Sequence, residues 1–396
     1  MSIYFREATL AFGHNMGKKL RTLHIGTGHI EHDVRIYQRI CLSLAKHGYK
    51  VSLLAHPDGQ PNIENDGIDF QSLGSLHLKL FKWNLFKRWR RCVIAYKIAL
   101  RASKDFDIFH FYSPEFIPWA IKLRKKTKKP VIMDCMEDFD GHVLMRPNIP
   151  DLLRPILARL VRYGLYKASQ KLDAITVADH GTGDKLQKLG ARVIILHNFP
   201  KLESFPRLPP VNKEFDLVFH GGMYKITLRT FLEIDDILVS KGTYLHWYLI
   251  GYLEEPDWFR HEIANRNATE RFILHDPVPH AQVIMLVRKA RIGIIPLPNL
   301  KKYHSNIPQK MFEFMALEMP VVLSDLPPCH PFVGDGSCAL TVEPDNAHAY
   351  AEAILKLLSD TELCSTMGAE GRRRIEYLYN WESEVKKLFA LYEEFG

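Results

Sequence analysis

The sequence predicts an α/β protein of two doubly wound, parallel-sheet (Rossmann-like) domains facing one another across a cleft. Three observations lead there. At 396 residues the chain is too long for one compact core, and roughly 150 residues per domain implies two or three domains. Short β-branched or apolar runs alternate with amphipathic helical segments almost throughout, the rhythm of right-handed βαβ units. Between the two series, residues 199–213 hold Pro200, Pro206, Pro209 and Pro210 without periodicity, as in a semi-rigid linker.

Strand-like runs in the first half fall at 20–27, 49–56, 68–73, 107–112, 130–134, 174–177 and 192–198. Helical patterns lie between them, as at 34–46, where Ile36, Ile40, Leu42, Leu44 and Ala45 mark an apolar face. The second half repeats the pattern with strands at 216–220, 244–250, 271–274, 292–297, 320–324 and 339–342. Its helices include 280–290, 309–317 and 347–358. A last helix, 381–395, carries Trp381, Val385, Leu388, Phe389 and Tyr392 on one face. The expected domains are therefore 1–200 and 214–378, joined by 199–213, with 381–395 packing back on the first. Leu20 opens the first strand, so Met16 competes with Met1 as the start.

Composition excludes several classes. Hydrophobic residues at 46% and charged residues at 25% are ordinary for a globular chain. No run approaches the ~18 apolar residues of a spanning helix, and residues 1–19 lack a signal-peptide core. The six cysteines form no C-x-x-C pair and read as reduced thiols, consistent with a cytoplasmic protein. Charge is divided unevenly, with 32 Lys and Arg against 18 Asp and Glu in residues 1–200. Residues 201–396 reverse this, 21 against 27. A basic half points to an anionic partner, either membrane surface, phosphorylated lipid or nucleic acid.

Doubly wound domains bind ligands beyond the carboxyl ends of their strands, so residues just after strands are the candidates. The strongest segment runs from Asn306 through Pro308, Lys310, Phe312, Glu313, Met315 and Ala316 to Pro320 and Ser324-Asp325. Pro308 suits the first position of a helix whose free N–H groups would meet an anion. Lys310 and Glu313, three apart, share a face. They form either a grip on a phosphate and sugar hydroxyls or an ordinary surface pair.

This segment strongly resembles the donor motif of family-4 glycosyltransferases, retaining enzymes of the GT-B fold. One bacterial branch reads P-x-K-[LM]-F-E-[YF]-M-A, followed by P-V-V and Ser-Asp. The resemblance extends over most of the chain. Phe219-His-Gly-Gly-Met-Tyr-Lys225 and Arg229 look like the family's first donor-domain strand and loop. Leu249-Ile-Gly251, Asp276-Pro-Val-Pro-His280 and Gly293-Ile-Ile-Pro296 follow in matching order. In the first half the matching segments are 32–36, 107–115 and 134–138. Three departures stand out: Ser305 replaces the first of a glutamate pair, Tyr112 and Met136 replace histidines, and Gly221-Gly222 replaces a Gly–Arg.

The resemblance implies a retaining transfer of sugar from a nucleotide-diphosphate sugar to a lipid-linked or saccharide acceptor, as in polysaccharide or glycoconjugate synthesis. Such a reaction mainly needs the departing diphosphate neutralised and the acceptor hydroxyl positioned. Arg229 and Lys310 are the expected cations, and Glu137 the acceptor-side catalytic candidate. Gly221, Gly222, Lys225, Ile307, Gln309 and Glu313 would line the donor, and Gly28, Asp33, Arg35 and His110 the acceptor side. Read alone, Arg229 also fits a solvated helix residue, though the functional role suits it better, and His110 fits a core histidine better than an acid–base group.

Two alternatives stay open, an inactive homologue that binds nucleotide sugar and a basic nucleic-acid-binding protein. The second lacks any RNA- or DNA-binding motif, and Gly26-Thr-Gly-His lacks the third glycine of a dinucleotide fingerprint. Asp105-Phe-Asp107 and Asp138-Phe-Asp140 mimic a D-x-D metal motif at about chance frequency, so neither a metal nor another cofactor is expected. Segment 78–97 interleaves Leu78, Phe81, Leu85, Trp89 and Val93 with Lys82, Lys87, Arg88, Arg90 and Arg91. It reads either as a core-packing helix or as a contact with an anionic membrane at the inner face.

Overall fold

The computed structural model describes residues 20–58, 66–74, 85–145 and 149–396. Its first series is β1 (Arg21–Ile30), a π-helical segment Val34–Cys41 running into α1 (Leu42–Lys46), β2 (Lys50–His56) and β3 (Ile68–Ser72). Then come α2 (Leu85–Arg101), β4 (Ile108–Phe111), α3 (Ile117–Thr127), β5 (Val131–Cys135) and α4 (Phe139–Met145). The half ends with α5 (Arg154–Lys171), β6 (Ala174–Val177), α6 (His180–Lys188) and β7 (Val193–Ile195).

The second series opens with β8 (Phe215–His220), α7 (Lys225–Ser240), β9 (Trp247–Ile250), α8 (Pro256–Asn265) and β10 (Phe272–His275). It continues through α9 (His280–Val287), β11 (Ala290–Ile295), α10 (Gln309–Ala316), β12 (Val321–Ser324), α11 (His330–Val333) and β13 (Ala339–Val342). Four helices close the chain: α12 (Ala347–Ser359), α13 (Thr361–Tyr377), α14 (Trp381–Glu384) and α15 (Lys386–Glu393).

The strands form two sheets, ordered β3-β2-β1-β4-β5-β6-β7 and β10-β9-β8-β11-β12-β13. Every pairing is parallel. The expected pair of doubly wound sheets is therefore present, each with its order reversing at one point, between β1 and β4 and between β8 and β11. At these reversals adjacent crossovers leave towards opposite faces and open a crevice beyond the strand ends. Parallel strands covered on both faces must be apolar throughout, and β4, β5, β6, β9 and β12 are buried at every position. Two hydrophobic clusters sandwich each sheet.

Polar caps set the entries to the helices. Asp33 accepts from the amides of Arg35 and Ile36, both at 2.9 Å, and Asp179 accepts from Thr182 N at 2.6 Å to open α6. Such a cap satisfies donors that the first turn otherwise leaves without partners. The segment foreseen as one terminal helix, 381–395, is broken into α14 and α15 at Val385. Its apolar face still packs on the first sheet, where Trp381, Val385, Leu388, Leu391 and Tyr392 join Ile36, Ile40 and Leu53. Trp381 Nε1 donates to Ser43 Oγ at 2.8 Å.

The sequence placed Leu85, Trp89 and Val93 on the apolar stripe of α2. Instead the helix buries Cys92, Ala95, Tyr96 and Ala99, while Trp89 is 54% exposed. Small side chains at 95 and 99 let the backbone approach the sheet, which a tryptophan would hold away. Residues 78–84 of that segment, and both candidate starts, lie outside the described residues.

Gly293 lies in β11 directly beneath α10, and a Cβ there would overlap the buried Phe314 ring. Gly293→Ala should therefore cost about 1–3 kcal/mol by overpacking. At the ~2–4 °C per kcal/mol usual for domains of this size, a melting curve should show the loss directly. An unchanged midpoint would mean that α10 can shift away from the sheet freely.

Candidate active site

The second sheet's crevice opens where β8 ends at His220 and β11 at Ile295. Gly221 follows β8 with φ of 106°, a left-handed conformation that costs a glycine little. Gly251 leaves β9 at φ 130°, and a Cβ there would strike the Gly221 carbonyl. The two glycines let the loops after β8 and β9 close on one another, leaving Gly221 and Gly222 exposed.

Beside this turn stands Lys310, in the first turn of α10. A Cβ on Gly221 would lie 3.5 Å from its Nζ, and the ammonium sits 4.1 Å from the centre of the Phe219 ring. Lys310 is half-buried, and loss of solvent around its ammonium pushes its pKa down to about 8 although nearby Glu313 opposes the shift. No carboxylate among the described residues pairs with it directly. A desolvated cation aimed at a glycine turn is a strong anion site.

Glu313, one turn further along α10, is buried. His220 Nε2 lies 3.1 Å from its Oε2 and His280 Nε2 2.9 Å from its Oε1. Burial works against ionisation, yet the bonds and charges of the two imidazoles hold this carboxyl far below the usual range. The carboxylate therefore ties the end of β8 and the start of α9 to α10, so it is neither a surface partner of Lys310 nor a group facing only a ligand. Pro308 stands one position outside α10 as its N-cap, beyond the first helical position expected for it.

Between the sheets lies a cavity of about 180 Å³, lined by both halves. Met136 and Glu137 follow β5, Ala178 and Asp179 follow β6, and His197 and Asn198 follow β7. Opposite them are Asn306, Ile307, Gln309 and Phe312. A larger open depression of about 580 Å³ on the second domain is edged by Glu233, Asp236, Glu343 and Asp345. Four carboxylates repel a diphosphate, so the cleft is the candidate site.

The remaining candidates are more dispersed. Lys225 Nζ pairs with Glu255 at 2.6 Å and lies 4.8 Å from the Trp258 ring. Arg229, exposed on the next turn of α7, lies 5.8 Å from that ring. Glu137 accepts from His142 at 2.9 Å. Gly28 faces Ser113, whose Oγ would be 3.3 Å from a Cβ. Asp33 is committed to its helix cap and to His29 at 3.5 Å.

Arg35 is turned inward. Its guanidinium donates to both oxygens of buried Asp134, at 2.7 and 2.8 Å, to Leu196 O at 3.0 Å and to Asn198 Oδ1 at 2.6 Å. It braces the ends of β5 and β7 and presents nothing to the acceptor side. His110 is also a core residue, with Nδ1 3.0 Å from Tyr392 Oη and burial lowering its pKa to about 4. Tyr112 is fully buried 2.6 Å from His24 Nδ1.

Of the D-x-D pairs, Asp138 and Asp140 are both bonded to Lys185, and Asp107 accepts from Arg21 N at 2.9 Å. Among the described residues, Glu31, His32 and Asp58 have ligand atoms within 4.8 Å of one another. They sit after β1 and β2, and His32 and Asp58 are already joined at 3.0 Å. Sequence reasoning missed His220, His280, Asp179 and His197. His220 ends a strand, Asp179 and His197 lie two residues beyond one, and His280 starts the helix after β10, so the topological rule alone would have flagged the first three.

Two family models match consecutive parts of the chain, Glycosyltransferase Family 4 over residues 34–203 and Glycosyl transferases group 1 over 214–360. The capsular polysaccharide biosynthesis glycosyltransferase CapM of Staphylococcus aureus is 25% identical over 57% of this chain and 57% of its own. A D-inositol 3-phosphate glycosyltransferase of Corynebacterium glutamicum is 24% identical over 35% and 32%. The chain thus matches little more than half the length of these curated relatives at most. Among solved structures, a sucrose-phosphate synthase of Thermosynechococcus elongatus superposes with a TM-score of 0.73 at 18% identity. The match covers 95% of this chain and 98% of that one. Anabaena HepE, solved with UDP-glucose, gives 0.69 at 11% over 95% and 100%.

Replacing Glu313 with Gln leaves one imidazole N–H facing an amide nitrogen in a buried place. Loss of a charged hydrogen bond and an unsatisfied donor should together cost about 2–4 kcal/mol. The wild-type contribution is complete above the ordinary carboxylate range and is lost as pH falls below it, because the folded-state pKa is depressed. Thermal melts of Glu313→Gln should therefore converge on wild type in acid. A mutant as stable as wild type at neutral pH would dissolve the His220–Glu313–His280 tie.

Proposed function

Because the chain belongs to the group 1 and family 4 glycosyltransferases, we propose that it moves a sugar, with retention, from a nucleotide-diphosphate sugar to a lipid-linked or saccharide acceptor. Polysaccharide or glycoconjugate synthesis is the process this reading fits. The observation that carries it is the desolvated Lys310 ammonium beside Gly221 at the mouth of α10. The diphosphate lies against the exposed amides of Gly221 and Gly222, with Lys310 as its nearest cation. Lys225 and Arg229 supply further positive charge from the first turns of α7.

Ile307 and Gln309 bring the opening of α10 to the anion. Glu313 keeps an unused lone pair on each oxygen, enough to accept from ribose hydroxyls while holding its two histidines. As the bond from the anomeric carbon to phosphate oxygen breaks, charge grows on the diphosphate, where fixed cations and amides stabilise it most. The acceptor hydroxyl enters from the side of Glu137. HepE with UDP-glucose and CapM support this choice of donor and of process.

A panel of nucleotide sugars followed by thermal shift, then by transfer assays, tests the reading. A cognate donor at 100 Kd should stabilise by about 2.7 kcal/mol. Silence across the panel would sink it, and binding without any turnover would favour an inactive donor-binding homologue.

The charge of Lys310 adds a pH dependence. Its lowered pKa, about 8, means that the free protein loses the ammonium as pH rises through that value. Nucleotide-sugar affinity should fall about tenfold between pH 7 and 9. Lys310→Arg, permanently charged, should bind with a flat profile over the same range. An equally steep fall in that variant would place the titrating group elsewhere.

A further inference from the structure

The helices α2, α3 and α5 lie side by side on one face of the first sheet. Together they carry 15 Lys and Arg and no Asp or Glu. Carboxylates from outside the layer reach four of these arginines: Glu115 to Arg88, Asp173 to Arg124, Asp151 to Arg154 and Asp140 to Arg162. Arg90, Lys97, Arg101, Lys125, Lys126 and Arg159 are all exposed. A solvated helix face ordinarily mixes both signs, so the uniform charge of three adjacent helices requires a different explanation.

The same face is apolar along one ridge. Leu152 is 84% exposed, Ile156 55%, Leu160 60% and Tyr163 59%. Within α5, Ile156, Leu160 and Tyr163 recur at four and three residues and point together, opposite the buried Ala158, Leu165 and Ala168. Lys167 closes the ridge, its ammonium 5.2 Å from the Tyr163 ring and 5.7 Å from that of Tyr166. The helix thus has a buried face towards the sheet and a second apolar face towards solvent.

We propose that this three-helix layer docks on an anionic lipid membrane, with Leu152, Ile156, Leu160 and Tyr163 entering the headgroup boundary. The chemistry of both components suits that occupant. Aliphatic side chains flanked by lysine and arginine gain from apolar burial and from anionic headgroups together. A nucleic acid would satisfy the charges and leave the ridge unpaired. No described helix is long and apolar enough to cross a membrane, so the contact is one of lying on the surface. The ridge begins at the cleft end of the sheet, since the chain passes from Met136 and Glu137 through α4 into α5. An acceptor held in a membrane would therefore be close to the cleft, though the docking does not rest on the reaction proposed above.

Co-sedimentation of the full chain with vesicles tests it. Binding should appear with phosphatidylcholine vesicles containing phosphatidylglycerol, weaken as salt rises, and be absent with phosphatidylcholine alone. Ile156→Ser with Leu160→Ser should lower the partition coefficient at least about tenfold. Arg159→Glu with Lys125→Glu should do the same, because each basic residue contributes about fivefold to binding. All four positions are solvent-facing, so the melting temperature should stay within about 2 °C of wild type. Failure of the parent to sediment, or binding indifferent to the anionic lipid, would overturn the proposal. So would concentration-dependent self-association abolished by Ile156→Ser with Leu160→Ser, which would give the ridge to a second copy of the chain.

Discussion

The Glu313 carboxylate, buried between two histidines, is the interaction on which the second domain's geometry turns. An ionised carboxylate without partners is costly in a low-dielectric interior, so this one requires two donors at fixed places. His220 comes from the end of β8 and His280 from the start of α9, hence neither element can shift without exposing charge. The same constraint sets Lys310, one turn earlier on α10, beside Gly221 and over Phe219. Arg372 holds the other end of the helix, donating to Ala316 O at 2.6 Å and to Phe205 O at 2.7 Å. The cation's position is thus fixed by a carboxylate it does not touch.

The first domain solves a parallel problem with opposite polarity. Burial would raise the Asp134 carboxyl, but the Arg35 guanidinium beside it keeps it below the usual range, with help from Thr176 Oγ1 at 2.6 Å. That pair lies under the strand ends, and its spare donors reach Leu196 and Asn198. Arg39, also buried, donates to Phe199 O at 3.0 Å and is pushed by burial to about 10, while Glu313 across the domain boundary favours its charge. Both domains therefore place a buried carboxylate with its fixed partners beneath the cleft wall, where Glu137, Asn306 and Gln309 line the cavity.

The sheets were legible because parallel strands leave a signal independent of their partners. Each is a short apolar run, and all thirteen runs named in the sequence contain or overlap a strand. Helix orientation was less legible. The stripe chosen for α2 was rotated, because Cys92, Ala95 and Ala99 are weakly apolar by side chain yet pack closest by size. Arg35 was expected on the acceptor side since nothing local to it announces Asp134, ninety-nine residues away. The segment around Lys310 was legible as the opening of a helix after a strand, whereas the partners of Glu313 were not, because His220 and His280 lie 93 and 33 residues from it. The basic excess of the first half was visible as a number, but only the sheet order gathers it onto one helical layer.

Two chain crossings join the domains, and they are bonded to each other. The first passes through Pro200, the second through Trp381, and Trp381 N donates to Pro200 O at 2.9 Å. Phe199, Phe312, Phe332 and Tyr379 pack around this point with ring centres 4.9 to 6.0 Å apart. Adjacent crossings leave little freedom to separate the halves, so the motion the connection permits is rotation about that point. On the cleft side the limit is steric: a Cβ on Gly181 would meet Ser305 Cβ at 2.9 Å. That contact brings the N-terminal turn of α6 against the segment leading into α10. Ser305 stands where the related pattern carries a glutamate, and the residue facing it across the contact must be glycine, since any Cβ at 181 would press on Ser305. How closely the two domains approach at this point is thus tied to the missing Cβ of Gly181, a constraint of packing that the single sequence shows only as one more glycine.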